Sequence, residues 1–181
     1  MSYELPIGQG QLLSFRSHAL NNVLGGWRLS LIANYQNGGF LGPFTGLCRL
    51  PAAGSCHLDY TPGFVGPVRI NGAYGSGNPR TDSYINANAF QNAADYTYGT
   101  TPRHGAYGLR APGGANENVA LDKTFKLWKR TSLRLRADAF NVFNRTEFGG
   151  IITNYESPAF GRVTTQVGSP RQMQFEAYLN F

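Results

Sequence analysis

Apolar and polar residues alternate one for one in several stretches of this chain, and no repeat at helical spacing accompanies them. In "WRLSLIANY", Trp27, Leu29, Leu31, Ala33 and Tyr35 share one face, and Arg28, Ser30, Ile32 and Asn34 share the other. In "TSLRLRADAF", Leu133, Leu135, Ala137 and Ala139 oppose Arg134, Arg136, Asp138 and, at the end, Phe140. "NVALDKTFKLW" aligns Val119, Leu121, Phe125 and Leu127, with Lys123 breaking the row. The chain closes on "MQFEAYLNF", where Met173, Phe175, Ala177, Leu179 and Phe181 alternate with Gln174, Glu176, Tyr178 and Asn180. A period of two is the mark of strands with two unlike faces.

Weaker stretches extend the pattern. "AFGRVTTQV" puts Val163, Thr165 and Val167 on one side, and "SYELPI" does the same with Tyr3, Leu5 and Ile7. Pro6 is tolerable there only near a strand end or on an unpaired edge. "WKR" reads as a tight link between two strands, and "VGSP" (Val167 to Pro170) as a hairpin turn joining the last two. Between Asn37 and about Arg110 the sequence turns to Gly, Pro, Asn, Ser and Tyr without a sustained period, which reads as a long loop. Loops of that length are out of place in a compact soluble domain but common on the outer side of a membrane barrel.

The alternation fits two architectures. In a soluble sandwich the apolar face packs on a second sheet, whereas in a membrane barrel it meets lipid. Strand length favours the barrel, because about 9 to 11 tilted residues cross the hydrocarbon, as Trp27 to Tyr35 and Arg171 to Phe181 can. Aromatic placement favours it too, with Trp27 and Tyr35 bracketing an aliphatic row like the girdles at the membrane interfaces. The charges on the opposite faces, Arg134, Arg136, Asp138 and Glu176, suit a polar lumen and equally the wet face of a sandwich. The predicted fold is an all-β antiparallel transmembrane β-barrel segment of roughly six to eight strands.

Composition narrows the function. Charged residues are 14% of the 181, glycines number 23 and aromatics reach 13%, unlike a solvated disordered chain. The net charge of +6 comes from scattered Lys and Arg rather than a stripe, so no nucleic-acid partner is implied. No apolar run reaches the length of a transmembrane helix, and "MSYELPIGQG" has neither the basic start nor the apolar middle of a signal peptide. Cys48 and Cys56 flank a Gly/Pro-rich segment and read as a local disulfide in an oxidising compartment, with two free thiols as the alternative.

Candidate chemistry is sparse. His18, His57 and His104 lack metal-site spacing and read as solvated loop residues. No nucleophile elbow or Walker loop is present, and the glycine-rich "GAYGSGNPR" (Gly72 to Arg80) precedes no recognisable helix. Asp122 and Asp138 are expected to balance Lys126, Arg134 and Arg136. No catalytic residue, cofactor or metal is expected.

The last forty residues carry a resemblance. "LRADAFNVFNRTEFGG" followed by "SPAFGRVTTQVGSPRQMQFEAYLNF" resembles the C-terminal end of TonB-dependent outer-membrane receptors of the Oar-like branch. The matching features are an Asn-aromatic turn, Phe140 to Thr146, a short "FGR" strand, Phe160 to Arg162, and a "PRQ" start to the closing strand, Pro170 to Gln172. "YELPIGQGQ", Tyr3 to Gln11, and "GGWRLSLIANYQNG", Gly25 to Gly38, resemble further family segments, and the likeness is weakest from Leu47 to Tyr98. The resemblance implies residence in the outer membrane and uptake of an unidentified ligand driven by TonB through a plug. It also implies that Met173, Phe175, Ala177, Leu179 and Phe181 form the insertion signal read by the barrel-assembly machinery. A complete receptor has a signal peptide, a plug and a barrel of about 22 strands. The chain is therefore expected to be the C-terminal part of such a barrel. Two alternatives are a small self-contained barrel, adhesin-like or structural, in which Tyr3 to Ile7 pair with Met173 to Phe181, and a soluble carbohydrate-binding module.

Overall fold

A computed structural model describes the chain except for Gln9, Ala52, Ala73, Gly75, Ser76, Pro79 and Arg80, so much of "GAYGSGNPR" lies outside the described residues. In chain order the elements are β1 (Ser2–Glu4), α1 (His18–Leu24), β2 (Arg28–Gln36), β3 (Thr45–Gly46), β4 (Cys56–Tyr60), β5 (Phe90–Asn92), β6 (Gly114–Trp128), β7 (Thr131–Phe140), β8 (Glu147–Phe148), β9 (Gln166–Val167) and β10 (Gln172–Asn180). They fall into two compact units. The first holds residues Met1–Tyr35, Ala115–Arg145 and Ser169–Phe181, and the second Gln36–Gly114 and Thr146–Gly168.

The first unit is an open five-stranded sheet in the order β1-β2-β6-β7-β10. The alternating stretches fix its register. Val119, Leu121, Lys123 and Phe125 of β6 stand opposite Ala139, Ala137, Leu135 and Leu133 of β7. Those same β7 residues stand opposite Met173, Phe175, Ala177 and Leu179 of β10. One apolar row thus continues from strand to strand, because a slip by one residue would turn every side chain to the other face. The β6–β7 link is tight, with Lys129 in the left-handed region at φ 43°.

The sheet has five strands where six to eight are predicted, and β1 stops at Glu4, just before Pro6. β1 and β10 occupy opposite edges and are not paired, unlike the self-contained barrel considered from sequence. Val167 to Pro170 does not make a hairpin into β10. β9 pairs with β8, and β10 pairs with β7 instead, because the long apolar rows of β7 and β10 match over their whole length. Nor does the sequence pattern reveal α1, a helix too short for a 3.6-residue repeat to declare itself. Its entry is held by the Asn21 side chain, which accepts from Phe15 N at 2.8 Å and donates to Phe15 O at 2.6 Å.

The end of β7 is built on Asn141, which is buried and has φ 50°. Asn suits this conformation because its short side chain can bond locally. Its Oδ1 accepts from Arg145 N at 2.8 Å, and its Nδ2 donates to Arg145 O at 2.9 Å and Ser169 O at 3.1 Å. The first Asn of "FNVFNRT" therefore ties the exit of β7 to the approach of β10.

The second unit replaces the predicted structureless loop. It carries a three-stranded sheet, β3-β4-β5, a two-stranded sheet, β8-β9, and a hydrophobic core of its own. Phe44 is fully buried and stacks on Phe90 at 4.8 Å between centroids, and Phe160 meets both rings edge-on at 6.2 Å. Leu58, Ile85, Ile151 and Val163 fill the space around them. The "FGR" segment is a turn and not a strand. Gly161 takes φ 74°, which lets Phe160 enter the core while Gly161 O accepts from Tyr84 N at 2.7 Å. Cys48 and Cys56 form a disulfide that pinches the link between β3 and β4. His57 lies in β4 and not in a solvated loop, with Nδ1 2.6 Å from Thr101 O and its ring beside Tyr98.

Truncating Phe44 to Ala should destabilise the second unit by about 3–5 kcal/mol. Hydrogen exchange should quicken at the β4 and β5 amides while the β6, β7 and β10 amides keep their protection.

Candidate functional site

The two faces of the five-stranded sheet are the part of the molecule with the clearest chemical character. Its even-numbered face carries an ionic ladder from Arg28 of β2 to Glu176 of β10. Arg28 of β2 donates to Asp122 of β6 through Nε at 3.3 Å and Nη2 at 3.0 Å, and Arg134 of β7 approaches the same carboxylate at 3.5 Å. Arg136 grips Asp138 with Nε and Nη2 at 2.7 to 3.1 Å. On β10, Glu176 accepts from Gln174 Nε2 at 2.5 Å and from Tyr178 Oη at 2.8 Å. The register explains the grouping, since Asp122 and Glu176 both stand opposite Arg136. The predicted charges Arg134, Arg136, Asp138 and Glu176 thus come together on one face, and Asp122 and Arg28 join them. The guanidinium groups of Arg28 and Arg134 meet the Asp122 carboxylate and that of Arg136 meets Asp138, while Glu176 is held by the neutral donors of Gln174 and Tyr178.

The opposite face is apolar, and along β10 its side chains are exposed. Phe175 is 74% exposed, Leu29 37% and Leu179 56%. No dry centre forms from Leu29, Leu133 and Phe175, which removes the sandwich alternative for this sheet. The burial is inverted. Apart from Gly8, Gly25 and Ala120, the buried residues of the first unit are Glu117, Asp122, Lys123, Asp138 and Asn141, while Leu29, Leu31, Met173, Phe175 and Leu179 are exposed. In water such an arrangement would forgo about 25 cal/mol for each Å² of apolar surface left uncovered.

Two charges sit in the apolar row, and both are fully partnered. Glu117, 2% exposed, accepts from Tyr35 Oη at 2.6 Å and from Arg145 Nε at 3.1 Å. Lys123, 4% exposed, gives its ammonium to the carbonyls of Asn22, Val23 and Gly25 at the end of α1, and lies 4.6 Å from the Phe125 ring centre. The sequence contains a signal for both, since positions 117 and 123 share the phase of Val119 and Leu121. Glu117 and Asn141 escape a reading that looks only for catalytic or metal spacings.

The other predicted positions are placed as follows. Trp27 and Tyr35 stand at opposite ends of β2, with Trp27 Nε1 donating to Val23 O at 3.1 Å and its ring edge-on to Phe125 at 6.5 Å. Met173, Phe175, Ala177 and Leu179 share the apolar face of β10, and Phe181 follows, 95% exposed. Among the described residues no group of three or more His, Cys, Asp or Glu is arranged to hold a metal ion. In the second unit, burial raises the Tyr60 and Tyr74 phenols above their ordinary range.

Residues 1–174 match the family model described as an outer membrane beta barrel domain. The chain belongs to this family. Its location is accordingly the cell outer membrane, and its alternating strands are those of a barrel wall. No curated protein and no solved structure matches it. For this outer-membrane barrel domain, the inverted burial follows from the solvent, because a barrel wall turns its apolar side chains to lipid and its polar ones inward.

Two measurements probe the faces. Phe175→Arg should cost about 2–4 kcal/mol in the membrane-folded state, whereas Gln174→Arg on the other face of the same strand should cost far less. Urea titration of both variants, followed by heat-modifiable gel mobility, compares them directly. Arg145→Met should lose about 1–3 kcal/mol by leaving Glu117 short of a partner. Adding Glu117→Gln to that variant should recover part of the loss in the same titration.

Proposed function

We propose that this chain forms part of the barrel wall and outer loops of a TonB-dependent outer-membrane transporter. Such a transporter takes up a scarce ligand with energy passed from TonB to a plug inside the barrel. The observation that carries the reading is an inverted sheet whose long links at one end hold a folded unit. Arg28 lies beside Asp122 and Tyr35 beside Glu117, so β2 and β6 run in opposite directions. The β2–β6 and β7–β10 links therefore leave the same end of the sheet, and these links make the second unit. Long links belong to the extracellular side of a barrel and short ones to the periplasmic side. The likeness of "FNVFNRT", "FGR" and "PRQ" to the closing segments of Oar-like receptors adds support.

On this reading the ladder from Arg28 to Glu176 lines the lumen, and Trp27 and Tyr35 stand at the two membrane interfaces. Met173, Phe175, Ala177, Leu179 and Phe181 present the insertion signal to the barrel-assembly machinery. A sheet with two open edges cannot stand in lipid, because unpaired backbone groups there cost several kcal/mol each. β1 and β10 are thus to be joined by further strands of a larger barrel. The role is transport without catalysis, and contact with TonB runs through the plug. The ligand is a small molecule recognised by the second unit, where Tyr96, Tyr98 and Tyr107 are exposed.

Uptake by cells producing the transporter should stop when tonB is deleted or when a protonophore collapses the proton gradient. Uptake, measured with labelled nutrients, that is indifferent to both treatments would return the protein to the class of passive or adhesive barrels.

A further inference from the structure

Between β1 and β2 the chain does more than turn. Residues Leu5–Gly26 enclose α1, whose Leu20, Val23 and Leu24 fall at positions i, i+3 and i+4 and are all exposed. Leu12, Leu13 and Phe15, just ahead of the helix, are exposed as well. An apolar stripe of this kind on so short a helix needs a partner.

The helix is fastened to the apolar side of the sheet. Lys123 stands in the apolar row of β6, and its ammonium is held by the Asn22, Val23 and Gly25 carbonyls. Trp27, from the apolar row of β2, donates to Val23 O. Gly25 permits the fit, since a Cβ there would lie 2.6 Å from Gly8 Cα and 2.8 Å from Ile7 O. The exposed stripe is therefore continuous with the lipid-facing row rather than with the ladder. The same end of the sheet carries the β6–β7 hairpin, where Leu127 and Trp128 are exposed and Lys129 lies over the Trp128 ring at 5.4 Å. Arg16, Lys126, Lys129 and Arg130 are exposed at this end too, which complements phosphate headgroups. Beside the helix a cleft of about 550 Å³ opens between Ile7, Gly8, Asn21, Asn22, Lys126 and Leu127.

We propose that the β1–β2 link is an interfacial anchor. α1 lies in the boundary between headgroups and acyl chains of the phospholipid leaflet at the hairpin end of the barrel, with Leu20, Val23 and Leu24 dipped into lipid. Interfacial helices seat their apolar face about 5–10 Å into that boundary. The anchor rests on the outer-membrane wall described above and adds a lipid contact that is not made by a strand.

The test uses single cysteines at Leu20, Val23 and Leu24, each carrying an environment-sensitive fluorophore. The full chain is studied in isolated outer membranes, where Cys48 and Cys56 are tied in their disulfide and do not react. Stearate with a doxyl group near its carboxyl should quench all three labels several-fold more than aqueous iodide does. Iodide quenching without doxyl quenching would overturn the anchor. Protection from both quenchers would overturn it as well, by showing a protein or a second copy on the stripe. A label at Phe175, quenched by stearate with a deeply placed doxyl group, reports on the wall separately. Quenching there with the helix labels open to iodide sinks the anchor alone, and its absence sinks both.

Discussion

Everything in the sheet depends on what solvates its apolar row. A soluble domain hides its aliphatic residues and shows its charges, and the second unit does so around Phe44, Phe90 and Phe160. The sheet does the reverse, exposing Phe175 and Leu179 while Glu117, Asp122, Lys123 and Asp138 are buried. Both arrangements occur in one chain, so the difference is local and follows from the medium that each unit meets. With lipid on one side, exposed leucine carries no penalty, and the remaining problem is electrostatic: each ion must find a counter-ion or a carbonyl.

The ladder meets that requirement by register. Once β6, β7 and β10 are aligned through their apolar rows, Arg136 falls between Asp122 and Glu176 without further adjustment. Its guanidinium then settles on Asp138, two residues along its own strand, while Asp122 is shared by Arg28 and Arg134. Pairing the charges across and along strands keeps this face polar while each buried carboxylate on it has a cationic partner.

The strands of the sheet were legible because a period of two survives in any single sequence, and β2, β6, β7 and β10 cover the stretches that show it. The charged face was legible for the same reason. What could not be read was everything set by contacts distant in sequence. The core of the second unit takes Phe44 and Phe90 from one segment and Phe160 and Val163 from another, with no period in either. α1 is stabilised by a lysine from β6, and "FGR" bends only because Phe160 has a core to enter. Asn141 and Glu117 act through geometry at strand ends, where a motif shows that something is fixed but not what it holds.

The two ions in the greasy row have a bearing on alignment. Shifting β6 by two positions against its neighbours would leave the alternation of faces intact, so hydrophobicity alone hardly opposes it. Such a slide would drag Lys123 away from the Asn22, Val23 and Gly25 carbonyls and part Glu117 from Tyr35. These residues work as notches on a ruler: by making near-miss pairings electrostatically untenable, they select a single alignment for a strand whose oily lettering repeats too evenly to choose one.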